Sequence, residues 1–148
     1  MDIILYTGGI KGDASEGLLG HITAKFTHAR LESIDTLPDL QRRLTRLPKT
    51  IDAAVLVAMN DAQLSEMVGM QDFLDGIPLI LIIPDFEKET VAKAAKLYPS
   101  FICTLDSEWE VVATILERIM LYREKAASAL RVHPGLARAN VKQESNPR

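Results

Sequence analysis

The chain has 148 residues, of which 47% are hydrophobic, a formal net charge of −3 and a single cysteine. A chain of this length buries roughly two thirds of its unfolded surface, so we expect one domain that needs no disulfide or metal to hold it together. The acidic balance argues against a nucleic-acid-binding face that covers the whole domain. No run of 18 apolar residues is present and "MDIILY" has no basic lead, which predicts a cytoplasmic protein without membrane contact.

Short apolar runs alternate with helical patterns five times along the chain. The runs are the predicted strands "DIILYT", "ARLESI", "DAAVLVAM", "IPLILII" and "FICTL". Unbroken hydrophobicity in the first, third and fourth runs is typical of strands that are covered on both faces. The second run is more polar and alternates, which favours an edge strand. Strands that alternate with helices in this way predict an α/β fold around a parallel sheet.

Helices are predicted between the strands from apolar residues at helical spacing. The first carries Leu18 and Ile22 on one stripe. The second begins at Thr36, a capping residue that precedes Pro38 by two positions. A third helix is expected to be capped by Asn60 or Asp61, to carry apolar residues from Leu64 to Leu74 and to stop at Gly76, and a weakly amphipathic fourth helix follows.

The last helix is predicted to start at Ser107, with Glu110 completing a capping box, and to run to about Arg131. Its apolar side chains cover more than one stripe, so we expect something outside the domain to cover part of them. Polar, Pro- and Gly-punctuated sequence then predicts a flexible C-terminal tail over residues 132–148, which leaves 1–131 as the domain.

The order and spacing of these elements, with "IDAAVLVAMND" and "IPLILIIPD" in the third and fourth strands, resemble the receiver domain of response regulators over residues 1–127. The resemblance implies a doubly wound, five-stranded parallel sheet of order 2-1-3-4-5, a flavodoxin-like three-layer sandwich. It also implies a role in signal transduction. Receiver domains commonly dimerise through a face that includes the last helix, so the resemblance implies a homodimer whose face has Ile115, Met120, Leu121 and Tyr122 as its candidates.

The residues that carry phosphorylation in receiver domains are absent from this sequence. By the resemblance, the acid pair that binds Mg²⁺ falls on Gly8 and Gly9, and the phosphoacceptor Asp falls on Val57. The hydroxyl falls on Ile83 and the Lys on Thr104. Because an alkyl group neither ligates a hard cation nor forms an acyl phosphate, we interpret the chain as a degenerate pseudo-receiver.

A small ligand could instead bind where the strands end, since open α/β sheets take ligands in this crevice. Gly-rich backbone before a helix can cradle an anion, although the glycine spacing fits neither the phosphate-loop nor the dinucleotide pattern, and an ordinary turn is the favoured interpretation. Asp61, Asp85 and Asp106 could gather into a metal site, but each also precedes or opens a helix, where helix capping is favoured. The residues of the candidate crevice are Thr7, Gly8, Gly9, Lys11, Gly12, Asn60, Asp61 and Asp85.

Basic residues cluster on the second helix, at Arg42, Arg43, Arg46 and Lys49. They could contact phosphate or an acidic partner, but a solvated polar face is the favoured interpretation. A lone Cys103 among apolar neighbours is expected to be a buried thiol.

The leading hypothesis is a non-catalytic regulatory domain that binds an unidentified protein partner or itself, with no cofactor, no metal and no membrane or nucleic-acid partner. The alternative is a flavodoxin-like protein that takes a small anion or nucleotide in the crevice, either as a binding protein or as an enzyme.

Overall fold

The computed structural model describes residues 1–8, 10, 13–46 and 51–132. The chain divides into two compact units, Met1–Glu117 and Arg118–Arg148. The strands are β1 (Asp2–Tyr6), β2 (Arg30–Ile34), β3 (Ala53–Val57), β4 (Leu79–Ile83) and β5 (Phe101–Thr104). The helices are α1 (Asp13–Lys25), α2 (Leu37–Thr45), α3 (Asp61–Val68), α4 (Gln71–Leu74), α5 (Lys88–Ala95) and α6 (Trp109–Val132).

All five strands are parallel and lie in the order β2-β1-β3-β4-β5. The predicted fold class is therefore confirmed, and so is the prediction that the polar second strand is an edge. In this order β1 pairs with β3 from Ile3–Ala53 to Tyr6–Leu56, and β3 pairs with β4 up to Val57–Ile82. The carboxyl ends of the three central strands consequently meet at one rim of the sheet.

Helices cover both faces of the sheet. Successive side chains of a strand point to opposite faces, and in the central strands both sets are apolar and need to be buried. One face forms a core with α2, α3, α4 and α5 that includes Tyr6, Leu56 and Leu81. Residues of the opposite parity, such as Ile3, Val55 and Ile82, are equally buried. Helix α1 and the first part of α6 belong to one layer, since a Cβ on Gly17 would lie 3.3 Å from the Trp109 ring and Lys25 lies 4.0 Å from Glu117.

The third helix is not continuous, contrary to the prediction. Helix α3 ends at Val68, with the Gly69 amide bonded to the Ser65 carbonyl, and the short α4 begins at Gln71. Glycine lies where the helix breaks, and it is less favourable than alanine in a helix by about 1 kcal/mol.

The start of the last helix also differs from the prediction. Ser107 does not make a capping box: its hydroxyl accepts a hydrogen bond from the Thr104 amide at 3.2 Å, and α6 begins at Trp109. The predicted tail, beyond Val132, lies outside the described residues, so its boundary stays a prediction. In the described part of the chain, no helix combines the length and apolar character needed to cross a bilayer.

Candidate functional site at the carboxyl ends of the strands

Val57, the position of the phosphoacceptor in the resemblance, is the last residue of β3 and has no exposed surface. Neighbouring strand ends are equally closed: Ile83 is 0% exposed and Thr104 is 8% exposed. The position of the receiver hydroxyl thus holds the alkyl side chain of Ile83, and the position of the Lys holds the small, nearly buried side chain of Thr104. None of these three residues presents a charge to the rim of the sheet.

Gly8 closes the turn after β1 over the end of β3. Its φ is +61°, and a Cβ built on it would lie 2.4 Å from the Val57 carbonyl oxygen and 3.0 Å from the Tyr6 ring. A side chain at this position would therefore have to displace backbone as well as adopt a strained conformation. The first position of the receiver acid pair is thus one that only glycine fits.

Gln63 bridges the two loops at this rim, and no sequence argument singled it out. Its Nε2 donates to the Gly8 carbonyl at 2.9 Å, and its Oε1 accepts from the Met59 amide at 2.7 Å. Its own amide donates to Asn60 Oδ1 at 2.9 Å, which makes Asn60 the N-cap of α3 as predicted. The signal was present, because a Gln three residues after a capping residue is the reciprocal half of a capping box. Here that side chain reaches back across the rim and ties the β1 turn to the β3 turn.

The three acids that could have gathered around a metal each have a different partner. Asp61 accepts from Lys93 Nζ at 2.7 Å, and Asp85 accepts from the Glu87 amide at 2.9 Å. Asp106 accepts from the Thr104 hydroxyl. Among the residues that the structure describes, no group of three His, Cys, Asp or Glu side chains could hold a metal ion.

The remaining residues of the predicted crevice are only partly described. Thr7 is 3% exposed, and its carbonyl accepts from the Ile10 amide at 3.0 Å in the turn. Gly9, Lys11 and Gly12 lie outside the described residues, so their predicted part in an anion cradle stays a prediction.

Burial disfavours the charged forms of two titratable groups in the sheet. Burial raises the pKa of Tyr6, and the nearby carboxylates of Glu66 and Asp35 raise it further. Burial also raises the pKa of the Cys103 thiol to about 11, although a hydrogen bond with Ser107 opposes the shift. The prediction of a buried Cys103 is confirmed. A thiol with this pKa is protonated at neutral pH and is a poor nucleophile.

The residues predicted for the dimer face differ in exposure. Tyr122 and Leu121 are 76% and 51% exposed, Ile115 is half-buried, and Met120 is 7% exposed. The two exposed residues therefore offer most of the apolar surface of that set.

The basic cluster of α2 is solvated at Arg42 and Arg46, as favoured from the sequence, but not at Arg43. Arg43 is 7% exposed, and its Nε donates to Glu32 Oε1 at 2.8 Å. Arg42 is exposed and paired with Asp39. Arg46 is exposed too, and Lys49 lies outside the described residues.

No protein-family model matches the sequence, and no curated protein matches it significantly. Solved structures do match in three dimensions. A response regulator receiver protein from Pseudoalteromonas atlantica superposes with a TM-score of 0.65 at 10% identity, over 83% of this chain and 99% of the other. The response regulator DrrB from Thermotoga maritima gives 0.59 at 17% identity, over 83% of this chain and 53% of the other, so the chain spans about half of that protein.

A putative pilus assembly-related protein from Burkholderia pseudomallei also matches, with a TM-score of 0.58 at 16% identity, over 82% of this chain and 90% of the other. At such identities the likeness concerns the fold. Together with the strand order, it establishes that the chain has the receiver fold.

Proposed function

We propose that this chain is a non-catalytic, receiver-like regulatory domain that is not phosphorylated by the usual receiver mechanism and acts through protein–protein interaction. The observation that carries the proposal is the closed rim, where Gln63 ties Gly8 to Met59 beside the fully buried Val57. In a receiver domain this is the place for the acceptor carboxylate and its metal ion.

The chemistry of the rim supports the absence of phosphotransfer. Acyl phosphate formation needs a carboxylate nucleophile, and Val57 supplies an alkyl group. A divalent cation that neutralises the phosphoryl oxygens needs oxygen ligands, and Gly8 has neither a side chain nor room for one. Since charge neutralisation and positioning are most of the catalysis in phosphoryl transfer, both requirements fail together.

Incubation with acetyl phosphate and Mg²⁺ tests this part of the proposal. Intact-mass measurement should find the protein unmodified under conditions that phosphorylate a receiver domain used as a positive control. A mass increase of one phosphoryl group on an acid near β3 would contradict the proposal. Asp61, the exposed acid that opens α3, would be the first residue to check by peptide mapping.

For the partner, we propose a second copy of the chain, docked through the last helix. Leu121 and Tyr122 supply exposed apolar surface there, and a twofold interface must be self-complementary. Sedimentation velocity should show a dimer that the double variant L121K/Y122K dissociates and the nearby surface variant E124Q does not. A strict monomer at high micromolar concentration would contradict this part of the proposal.

The alternative, a small-anion or nucleotide site in the strand-end crevice, has less support. Asn60 is engaged in capping α3, Asp61 in an ion pair and Asp85 in a turn. A ligand would have to displace these bonds and those of Gln63 before it could reach the strand ends. The amides of Gly8, Met59 and Asn60, which lie at this crevice, should therefore show no saturable NMR shift when nucleotides or divalent ions are added.

A further inference from the structure

A groove lies between β2 and α2, away from the strand-end crevice. Its volume is about 590 Å³, which is within the range of volumes of small-molecule sites. Charged side chains dominate the part of its lining that the structure describes. They are Glu32, Asp35, Asp39, Arg42, Arg43 and Arg46.

Arg43 is the unusual member of this lining. A guanidinium has five N–H donors and stays charged in proteins, so its nitrogens need acceptors when they are buried. The Nε of Arg43 has one in Glu32, at 2.8 Å. The Nη1 atom is buried and has no hydrogen-bond partner among the described residues, and the residue as a whole is 7% exposed. Arg43 thus lines the groove, and its buried Nη1 lacks the acceptor that a charged donor requires.

The other charges of the groove show what kind of acceptor fits. Two of its acids are already neutralised, since Glu32 pairs with Arg43 and Asp39 pairs with Arg42. Arg46 has no ion pair with any described residue, so it supplies the one positive charge among the described lining residues that no acid pairs with. Asp35 is exposed, so solvent screens its repulsion of a bound anion.

The edge of the sheet adds a backbone donor. The Arg30 amide donates to Met1 and the Ile34 carbonyl accepts from Thr7, so these residues of β2 turn their polar backbone groups toward β1. Backbone groups alternate in direction along a strand, so the Ser33 amide points away from β1, on the side of the open edge.

We propose that this groove binds a small molecule through a carboxylate or phosphate group, which accepts hydrogen bonds from Arg43 and Arg46. The planar guanidinium fork suits both anions, because each offers two oxygens in one plane. This site is separate from the proposed function and needs neither a metal ion nor a dimer.

The test is a titration of the ¹⁵N-labelled full chain with inorganic phosphate and, in a second series, with acetate. Both series are matched in ionic strength to a sodium chloride titration and contain no divalent cation. Saturable shifts are expected at the amides of Glu32–Asp35 and at Arg43 Nε–H. Acetate and phosphate separate the two anion classes, and saturation by either one supports the site.

Three variants decide whether the shifts report this site. R43Q and R46Q should each weaken binding by about tenfold or more, because each removes a charge-assisted hydrogen bond. R30Q removes an exposed Arg from the other end of the same strand and should bind like the wild type. R46Q keeps the buried Arg43–Glu32 pair, so it decides the question if R43Q does not fold.

Shifts that do not saturate, that sodium chloride reproduces, or that persist in R46Q would overturn the proposal. Shifts confined to another part of the sheet would overturn it as well. Because no phosphodonor or Mg²⁺ is present, such a failure leaves the acetyl phosphate result and the proposed function untouched.

Discussion

Two regions of the molecule differ in whether their polar groups have hydrogen-bond partners. They are the rim formed by β1 and β3 and the groove between β2 and α2. At the rim, both ends of the Gln63 amide are bonded to backbone, and the β3 strand end beneath is a buried alkyl side chain. At the groove, a buried nitrogen of the Arg43 guanidinium has no hydrogen-bond partner in the part of the chain that the structure describes. The fold predicts a ligand at the rim, but the residues of this chain leave unmet hydrogen-bonding capacity in the groove.

The comparison shows that the place where a fold usually binds its ligand need not be the place where a given sequence leaves hydrogen-bonding groups without partners. A rim whose donors and acceptors are satisfied internally gains little from a ligand, which would have to replace bonds that already exist. A buried donor without a partner, in contrast, forms a new hydrogen bond with an acceptor oxygen that reaches it and loses none. Three predictions test the closed rim and a fourth tests the burial of Cys103 in β5, from the largest expected effect to the smallest.

Restoring the receiver acid at Val57 should be the most damaging change. V57D places a carboxylate where no surface is exposed, and we expect a loss of about 3–5 kcal/mol in the free energy of unfolding, or failure to fold. V57T, which keeps the shape and adds only a hydroxyl, should lose about 1–2 kcal/mol. Urea denaturation measures both, and a V57D protein within 1 kcal/mol of the wild type would show that the rim is open.

Gly8 should be far less tolerant of a methyl group than Gly76. Both have positive φ, but a Cβ at Gly8 meets the Val57 carbonyl at 2.4 Å, whereas a Cβ at Gly76 meets nothing within 4 Å. We expect G8A to cost about 3 kcal/mol, from strain plus overpacking, and G76A about 1 kcal/mol, from strain alone. Equal losses in chemical denaturation would mean that the turn after β1 does not pack on β3.

Removing the Gln63 bridge should have an intermediate effect. Q63A leaves the Gly8 carbonyl and the Met59 amide without their side-chain partner, which we expect to cost about 2 kcal/mol. Q41A, on the exposed side of α2, should stay within about 0.5 kcal/mol of the wild type. The thermal unfolding of the two variants provides the comparison, and matching melting temperatures would refute the bridge.

Cys103 should give the smallest effect, and only at high pH. Its pKa in the folded protein is about 11, above the ordinary value of 9.0, so the neutral thiol is favoured by folding. The stabilisation is complete below pH 9 and is lost as the pH rises toward 11, because the unfolded chain releases its proton first. We expect wild type to lose about 1–2 kcal/mol more than C103S over this interval.

The difference between the two proteins isolates the thiol, since Tyr6 has a raised pKa in both of them. Parallel stability curves for wild type and C103S between pH 8 and 11 would show that the Cys103 thiolate is as well solvated in the folded chain as in the unfolded one.

Sequence patterns predicted the sheet well because its information is local. Unbroken apolar runs such as Leu79–Ile83 indicate covered strands, and the polar Arg30–Ile34 indicates an edge. The break between α3 and α4 was missed because Leu64, Met67 and Leu74 all face the same core, so the apolar period runs on past Gly69.

The site was harder to predict because its contacts are distant in sequence. Gln63 bonds to Gly8 across 55 positions, and no local pattern records that meeting. Arg43 was assigned to solvent because basic residues usually cover solvated helix faces. Its burial depends on Glu32, which the edge strand brings within 2.8 Å. The sequence shows directly that the receiver acids are absent. Only the structure shows that the Gln63 bridge between Gly8 and Met59 lies in their place.

Addition of Mn²⁺ to the ¹⁵N-labelled chain tests the closed rim most directly. A bound paramagnetic ion broadens nearby amides, and any cation that serves phosphotransfer must lie beside Gly8, Met59 and Asn60. We predict that these amides show no selective, saturable broadening that excess Mg²⁺ reverses. Broadening centred on them and reversed by Mg²⁺ would show that the rim holds a divalent cation, and it would contradict the account.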